Sequence, residues 1–175
     1  MEGAAMSAQA HPQLTLRPML PPDAPLLAEI LRASVTGMTA DDYTEAQQNA
    51  WASAAEDEKA FANKLSGQLT LIATLSGSPI GFISLAGVDV IDMLYVHPAA
   101  AGQGAGSLLA DAIEKLAGSR GAGTLKVDAS DSASGFFQKR GYVAQQRNTV
   151  LRQGEWLANT TMHKQLATGD QREAS

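Results

Sequence analysis

The chain has 175 residues, no cysteine, a formal net charge of −5 and 45% hydrophobic residues. That length suits one domain able to fold without disulfide or metal staples. The missing cysteines exclude disulfides, zinc–thiolate centres, iron–sulfur clusters and thiol nucleophiles, and the mild acidity argues against nucleic acid or an anionic membrane as partner.

Residues 1–13 are small, polar and aperiodic, without the basic and apolar segments of a signal peptide. Residues 167–175 are equally polar. Both read as tails around one domain over 14–166. No apolar run approaches the roughly 20 residues of a membrane helix, so a cytoplasmic protein without a membrane partner is expected. His11, His97 and His163 are too scattered to suggest a metal site.

Leu14 to Arg17 alternates and meets Pro18, which predicts a short strand. Asp23 is placed to cap a helix carrying Leu26, Leu27, Ile30 and Leu31 on one face. Asp41 or Asp42 would cap a second helix through Tyr43, Gln47 and Trp51, and 56–65 reads as a third, stopped by Gly67. Strands follow over 69–75 and 80–86 around the turn residues Ser76 to Pro79, then over 88–96. An amphipathic helix over 107–116 is closed by Gly118 and Gly121. Leu125 to Val127 is the next strand. Ser130 or Asp131 caps a short helix through Phe136 and Phe137 that ends at Gly141. Two strands, 142–151 and 156–166, flank the turn at Gln153 and Gly154, with Trp156 expected to pack. This order predicts an α+β (mixed α/β) domain built on one sheet.

Three of the 16 glycines, Gly102, Gly104 and Gly106, alternate between a strand end and a helix start. Glycine lets a ligand approach the backbone closely, and free N–H groups of a first helical turn favour an anion such as pyrophosphate. The stretch lacks the lysine of a phosphate-binding P-loop and the third glycine of a dinucleotide fingerprint. By itself it fits either a ligand loop or a simple turn.

The surroundings narrow this. Ile91-Asp92-Met93-Leu94-Tyr95-Val96-His97-Pro98, the glycine loop and Ser107-Leu108-Leu109 closely resemble motif A of the GNAT superfamily of acyl-CoA-dependent N-acetyltransferases. Ser130, Ala133, Phe136, Phe137, Lys139, Gly141 and Tyr142 resemble its motif B. The order of elements is similar to the GNAT fold over nearly the whole chain, most like small bacterial members. That fold has a mostly antiparallel mixed sheet, splayed at its centre and flanked by helices. Two positions depart from the family pattern. Ala101 stands where Gln or Arg is usual, and Phe137 stands where many members carry a tyrosine acid.

The resemblance implies acetyl-CoA as cosubstrate, no metal, and direct attack by the primary amine of a small molecule or peptide. It implies that Leu94, Tyr95 and Val96 pair with the pantetheine arm. The Leu94 N–H would polarise the thioester carbonyl, an effect worth roughly 3–4 kcal/mol. Gly102, Gln103, Gly104, Ala105, Gly106 and Ser107 would cradle the pyrophosphate. Ser130, Phe136 and Phe137 would line the arm, and Lys139 or Arg140 would meet the ribose phosphate unless they are an ordinary basic pair ending a helix. Asp92 is the candidate base. Alternation places it with Val90, Leu94 and Val96 among apolar residues, where it is either a general base or a structural acid. Tyr95 and Tyr142 are the options for the acid, with Tyr142 retained; otherwise solvent protonates a thiolate whose thiol has a pKa near ~8.5. Tyr43 and Gln47 would line the acceptor pocket. Similar proteins often form homodimers. The alternative reading is a non-catalytic acyl-CoA-binding or sensing domain, as Ala101 and Phe137 would allow.

Overall fold

A computed structural model describes residues 13–167; residues 1–12 and 168–175, with His11 and nearly all of both expected tails, lie outside the described residues. Seven strands form one sheet: β1 (Leu14–Pro18), β2 (Leu69–Leu75), β3 (Ser78–Ala86), β4 (Val90–Val96), β5 (Thr124–Ser130), β6 (Val143–Arg152) and β7 (Glu155–Gln165). Their order is β1-β2-β3-β4-β5-β7-β6, and every pairing is antiparallel except β4 with β5. The helices are α1 (Ala24–Met38), α2 (Glu45–Ala52), α3 (Glu58–Ser66), α4 (Ala105–Ser119) and α5 (Ser134–Lys139).

The central strands are buried on both faces, so β2 reads as an almost unbroken apolar run. Leu71, Ala73, Ile83, Leu85 and Val127 meet Leu109 and Ile113 of α4 on one face. Ile72, Phe82 and Met93 meet Leu27 and Leu31 of α1 and Phe61 and Leu65 of α3 on the other. α1 also reaches the turn after β4. A Cβ on Gly37 would stand 2.6 Å from Pro98 Cγ, so only glycine lets the two meet.

Helix starts are where expectation and structure part. Asp23 stands at the cap of α1 but bonds no helix N–H. Its carboxylate instead takes both Arg17 guanidinium nitrogens at 2.8 Å and the Leu20 N–H at 2.7 Å. Arg17 thereby holds the Asp23 carboxyl below the usual range. Leu26 is 46% exposed, because the buried stripe of α1 runs through Leu27, Ile30, Leu31 and Val35.

Neither Asp41 nor Asp42 caps α2. Thr44 does, its hydroxyl accepting the Gln47 N–H at 3.1 Å while the Gln47 side chain accepts the Thr44 N–H at 2.9 Å. That reciprocal box outweighs the aspartates. α4 runs through Gly118 to Ser119, and Gly121 takes the left-handed conformation beyond it. β5 extends to Ser130, whose hydroxyl accepts the Ala133 N–H at 3.1 Å just ahead of α5. Gln153 and Gly154, both at positive φ, make the tight β6–β7 turn. Trp156 does not pack: it is 60% exposed beside its cross-strand neighbour Leu151.

Candidate functional site

The sheet divides where β4 meets β5. Only two rows pair, Val90 with Lys126 and Ile91 with Val127, before the strands separate. The ladder between β3 and β4 pairs Ser84 with Met93 and Leu85 with Ile91, which leaves Asp92 as the extra residue of a bulge. Beyond the bulge the register fixes where the backbone points. His97 N–H donates to the Ile80 carbonyl at 2.7 Å, so residues 97 and 95 face β3. By alternation, the N–H and C=O groups of Leu94 and Val96 face the gap that β5 has left. These groups are ready to pair with an extended chain laid into the gap.

A cleft of about 420 Å³ opens at this gap. Leu94, Val96, Val127, Ala129, Ser130, Gly106, Phe136 and Phe137 form one part of it. The two phenylalanines pack edge to face, centroids 5.2 Å apart. The glycine loop lies at one end. Gly102 and Gly104 adopt φ +80° and +89°, and a Cβ on either would meet nothing within 4 Å, so the space before the loop is open. Gly104 precedes α4, and its carbonyl accepts the Leu108 N–H at 3.0 Å. The first-turn N–H groups of Ala105, Gly106 and Ser107 precede that first bond and point out of the helix end. A Cβ on Gly106 would make only ordinary contact with the Phe136 ring, at 3.5 Å, so Gly106 sits against the arm-lining aromatic without being required to be glycine. Open space, positive φ and unpaired donors fit a pyrophosphate better than a mere turn.

The opposite part of the cleft is built by α1, the segment before α2, and the β6–β7 hairpin. Tyr43 joins these pieces. Its hydroxyl donates to the Ala158 carbonyl at 2.6 Å and accepts the Asp131 N–H at 2.9 Å, and burial raises its pKa. The Tyr95 hydroxyl accepts the Trp51 indole N–H at 2.8 Å, and burial pushes its pKa up to about 12. Neither phenol is an ionised base near neutral pH. Six polar side chains in this part escaped the sequence reading: Ser34, Thr39, Asp128, Ser132, Arg152 and Asn159. Asp128 accepts a hydrogen bond from Thr161 at 2.6 Å, and Asn148 donates to both Thr161 and Asn159.

Several expected roles change. Asp92 does not share a face with Leu94 and Val96 among apolar side chains. The bulge turns it towards α3, where it is exposed beside Lys64 Nζ at 3.3 Å and Gln68 Nε2 at 3.1 Å, although it still lines the cleft. Tyr142 lies outside the cleft. It is buried behind Phe137 and donates to Glu114 at 2.9 Å, so its proton is directed away from the cleft, and burial together with the Glu114 charge drives its pKa far up. Arg140 is bound to Asp111 and Glu114, and Lys139 is exposed at the end of α5 without lining the cleft. Gln47 does not reach the cleft either, being occupied by Thr44 and the Trp156 carbonyl.

Among the described residues, no group of three or more His, Asp or Glu side chains is placed to hold a metal ion. None of the described helices is long and apolar enough to cross a membrane.

A family model described as an acetyltransferase (GNAT) domain matches residues 39–166. No curated protein matches the sequence significantly. Among solved structures, one from Rhodopseudomonas palustris is 64% identical, covering 90% of this chain and 97% of its own, with a TM-score of 0.86. It is described as a GCN5-related N-acetyltransferase and also carries the name class-II aminotransferase. The PaiA N-acetyltransferase of Thermoplasma acidophilum, solved with coenzyme A, is 19% identical over 87% of this chain and 99% of its own, with a TM-score of 0.73. The putative acetyltransferase YncA of Salmonella typhimurium, solved with acetyl-CoA, is 22% identical over 89% of this chain and 95% of its own, with a TM-score of 0.61. The last two share the fold.

Proposed function

Since the chain belongs to the GNAT acetyltransferase family, we propose that it moves the acetyl group of acetyl-CoA onto a primary amine by direct attack. The observation that carries this reading is the gap between β4 and β5, edged by unpaired Leu94 and Val96 backbone and closed at one end by the open glycine loop. An extended pantetheine arm fits the first and a pyrophosphate fits the second. Acetyl-CoA supplies an acetyl group already activated as a thioester.

The residues present divide the work. Gly102, Gln103, Gly104, Ala105, Gly106 and Ser107 hold the pyrophosphate with backbone N–H groups, which lessens the need for a side chain at Ala101. Ser130, Phe136 and Phe137 bound the arm. The Leu94 N–H, turned into the gap, donates to the thioester carbonyl oxygen and stabilises the charge that grows there. Asp92, oriented by Lys64 and Gln68, takes a proton from the acceptor's ammonium directly or through water, freeing the amine lone pair to attack the thioester carbonyl. Phe137 carries no proton and Tyr142 is occupied by Glu114, so the departing thiolate is protonated from solvent.

The same absence of a protein acid would suit an acyl-CoA binder without turnover, and one experiment separates the two. Calorimetry should detect acetyl-CoA binding, and thiol release should follow when amines are added. Binding without thiol release on any amine favours the binder; no binding overturns both.

A further inference from the structure

Among the described residues, one cation that lines the cleft has no partner. Arg152 ends β6 at the hairpin and lines the same cleft as Asp92, Tyr95 and Asp128. Arg17, Arg140 and Arg147 each hold a carboxylate, and Arg32 holds the Ala55 carbonyl. Arg152 makes no hydrogen bond or ion pair among the described residues, and its cross-strand neighbour Glu155 is not joined to it. Its charge is nonetheless felt inside: it opposes Asp92 at the Tyr95 hydroxyl.

A guanidinium offers a planar fork of donors that matches a carboxylate. Arg152 is exposed at the mouth of the hairpin, and half-buried Val150 and buried Leu157 line the same cleft. Among the described residues the cleft thus has acidic groups, Asp92 and Asp128, suited to an ammonium, and a cation, Arg152, suited to an anion. A polyamine would bring a second ammonium against Arg152, and an internal lysine of a peptide would leave it unused.

Resting on the acetyl-transfer reading above, we propose that the acceptor is a small zwitterion, an amine that also carries a carboxylate, and that Arg152 binds this carboxylate. Arg152 is then a specificity residue and takes no part in the chemistry.

The test compares α-amino acids with their amides and with the amines that lack the carboxylate altogether, following thiol release from acetyl-CoA. The free acids should exceed their amides in kcat/KM by roughly ten- to hundredfold, the range of one charge-assisted bidentate pair. Arg152→Gln should erase that preference while leaving acetyl-CoA affinity and turnover of the amides unchanged. Arg152→Lys, which keeps charge without the fork, should retain part of it. Equal rates for acids and amides, or an Arg152→Gln loss shared by both, overturns the proposal. Coenzyme A binding with turnover confined to polyamines or peptides, or with no turnover of any carboxylated amine, also overturns it while leaving the cofactor site intact. No coenzyme A binding at all removes the underlying acetyl-transfer reading.

Discussion

Asp92 owes its position to one extra residue in β4. Strict alternation would carry it to the α4 face with Leu94, but the bulge opposite Ser84 and Leu85 sends it to the α3 face. Nothing in Val90 to Val96 announces a bulge, because either face is apolar and both registers satisfy the pattern. In this position Lys64 and Gln68 orient the carboxylate while water still reaches it. Asp92→Asn should lower kcat by about 10²–10⁴-fold, with acetyl-CoA affinity unchanged. A variant with an unaltered kcat would shift the role away from Asp92. Asp23 offers a different test, of stability. Its folded-state pKa lies below the unfolded value of about 3.9, so its contribution is complete above that pH and is lost as pH falls through the folded value. Asp23→Asn should therefore cost about 1–3 kcal/mol in urea unfolding at neutral pH, from loss of Arg17 and Leu20 as partners. The gap to the parent should close in strong acid.

Elements differed in how plainly the chain declared them. The strands and the hairpin turns were legible, because Ser76 to Pro79 and Gln153-Gly154 punctuate alternating runs. The glycine loop was legible too, since positive φ at Gly102 and Gly104 favours a residue without a Cβ. The start of α2 carried a readable Thr44-x-x-Gln47 box, but the nearby aspartates competed with it. Once Gln47 is committed to that box it is lost to the acceptor pocket. The loop itself admits a controlled comparison. Gly104→Ala and Gly104→Asp carry the same backbone strain, about 1–3 kcal/mol for a side chain at that φ. Open space around Gly104 accepts either side chain. Only the aspartate adds a negative charge where the pyrophosphate would lie. Calorimetry should show retained acetyl-CoA binding in the alanine variant and none in the aspartate variant; equal behaviour would place the cofactor elsewhere.

The whole molecule is two half-sheets, β1 to β4 and β5 to β7, joined by two rows of strand pairing. Side chains reinforce the join: Tyr43 binds both Ala158 and Asp131, and Gln47 reaches the Trp156 carbonyl. These are separations of about a hundred residues, invisible to local pattern, which is why Tyr43 was expected to line the pocket but not to tie the halves together, and Arg152 was not expected at all. Arg152 sits beside a turn and reads locally as a solvated charge; only the folding of the hairpin over the gap brings it to the cleft. The open join has a consequence for isotopic labelling. Leu94 and Val96 lie in the middle of a seven-stranded sheet, yet their amides should take up deuterium as fast as those of an outermost strand. The amide of Tyr95 between them, turned towards Phe82, should be slow. Saturation with acetyl-CoA should slow the first two and leave the third as it was. That alternating signature, one residue fast and the next protected, would report the cofactor arm as a missing strand that the protein borrows for each turnover.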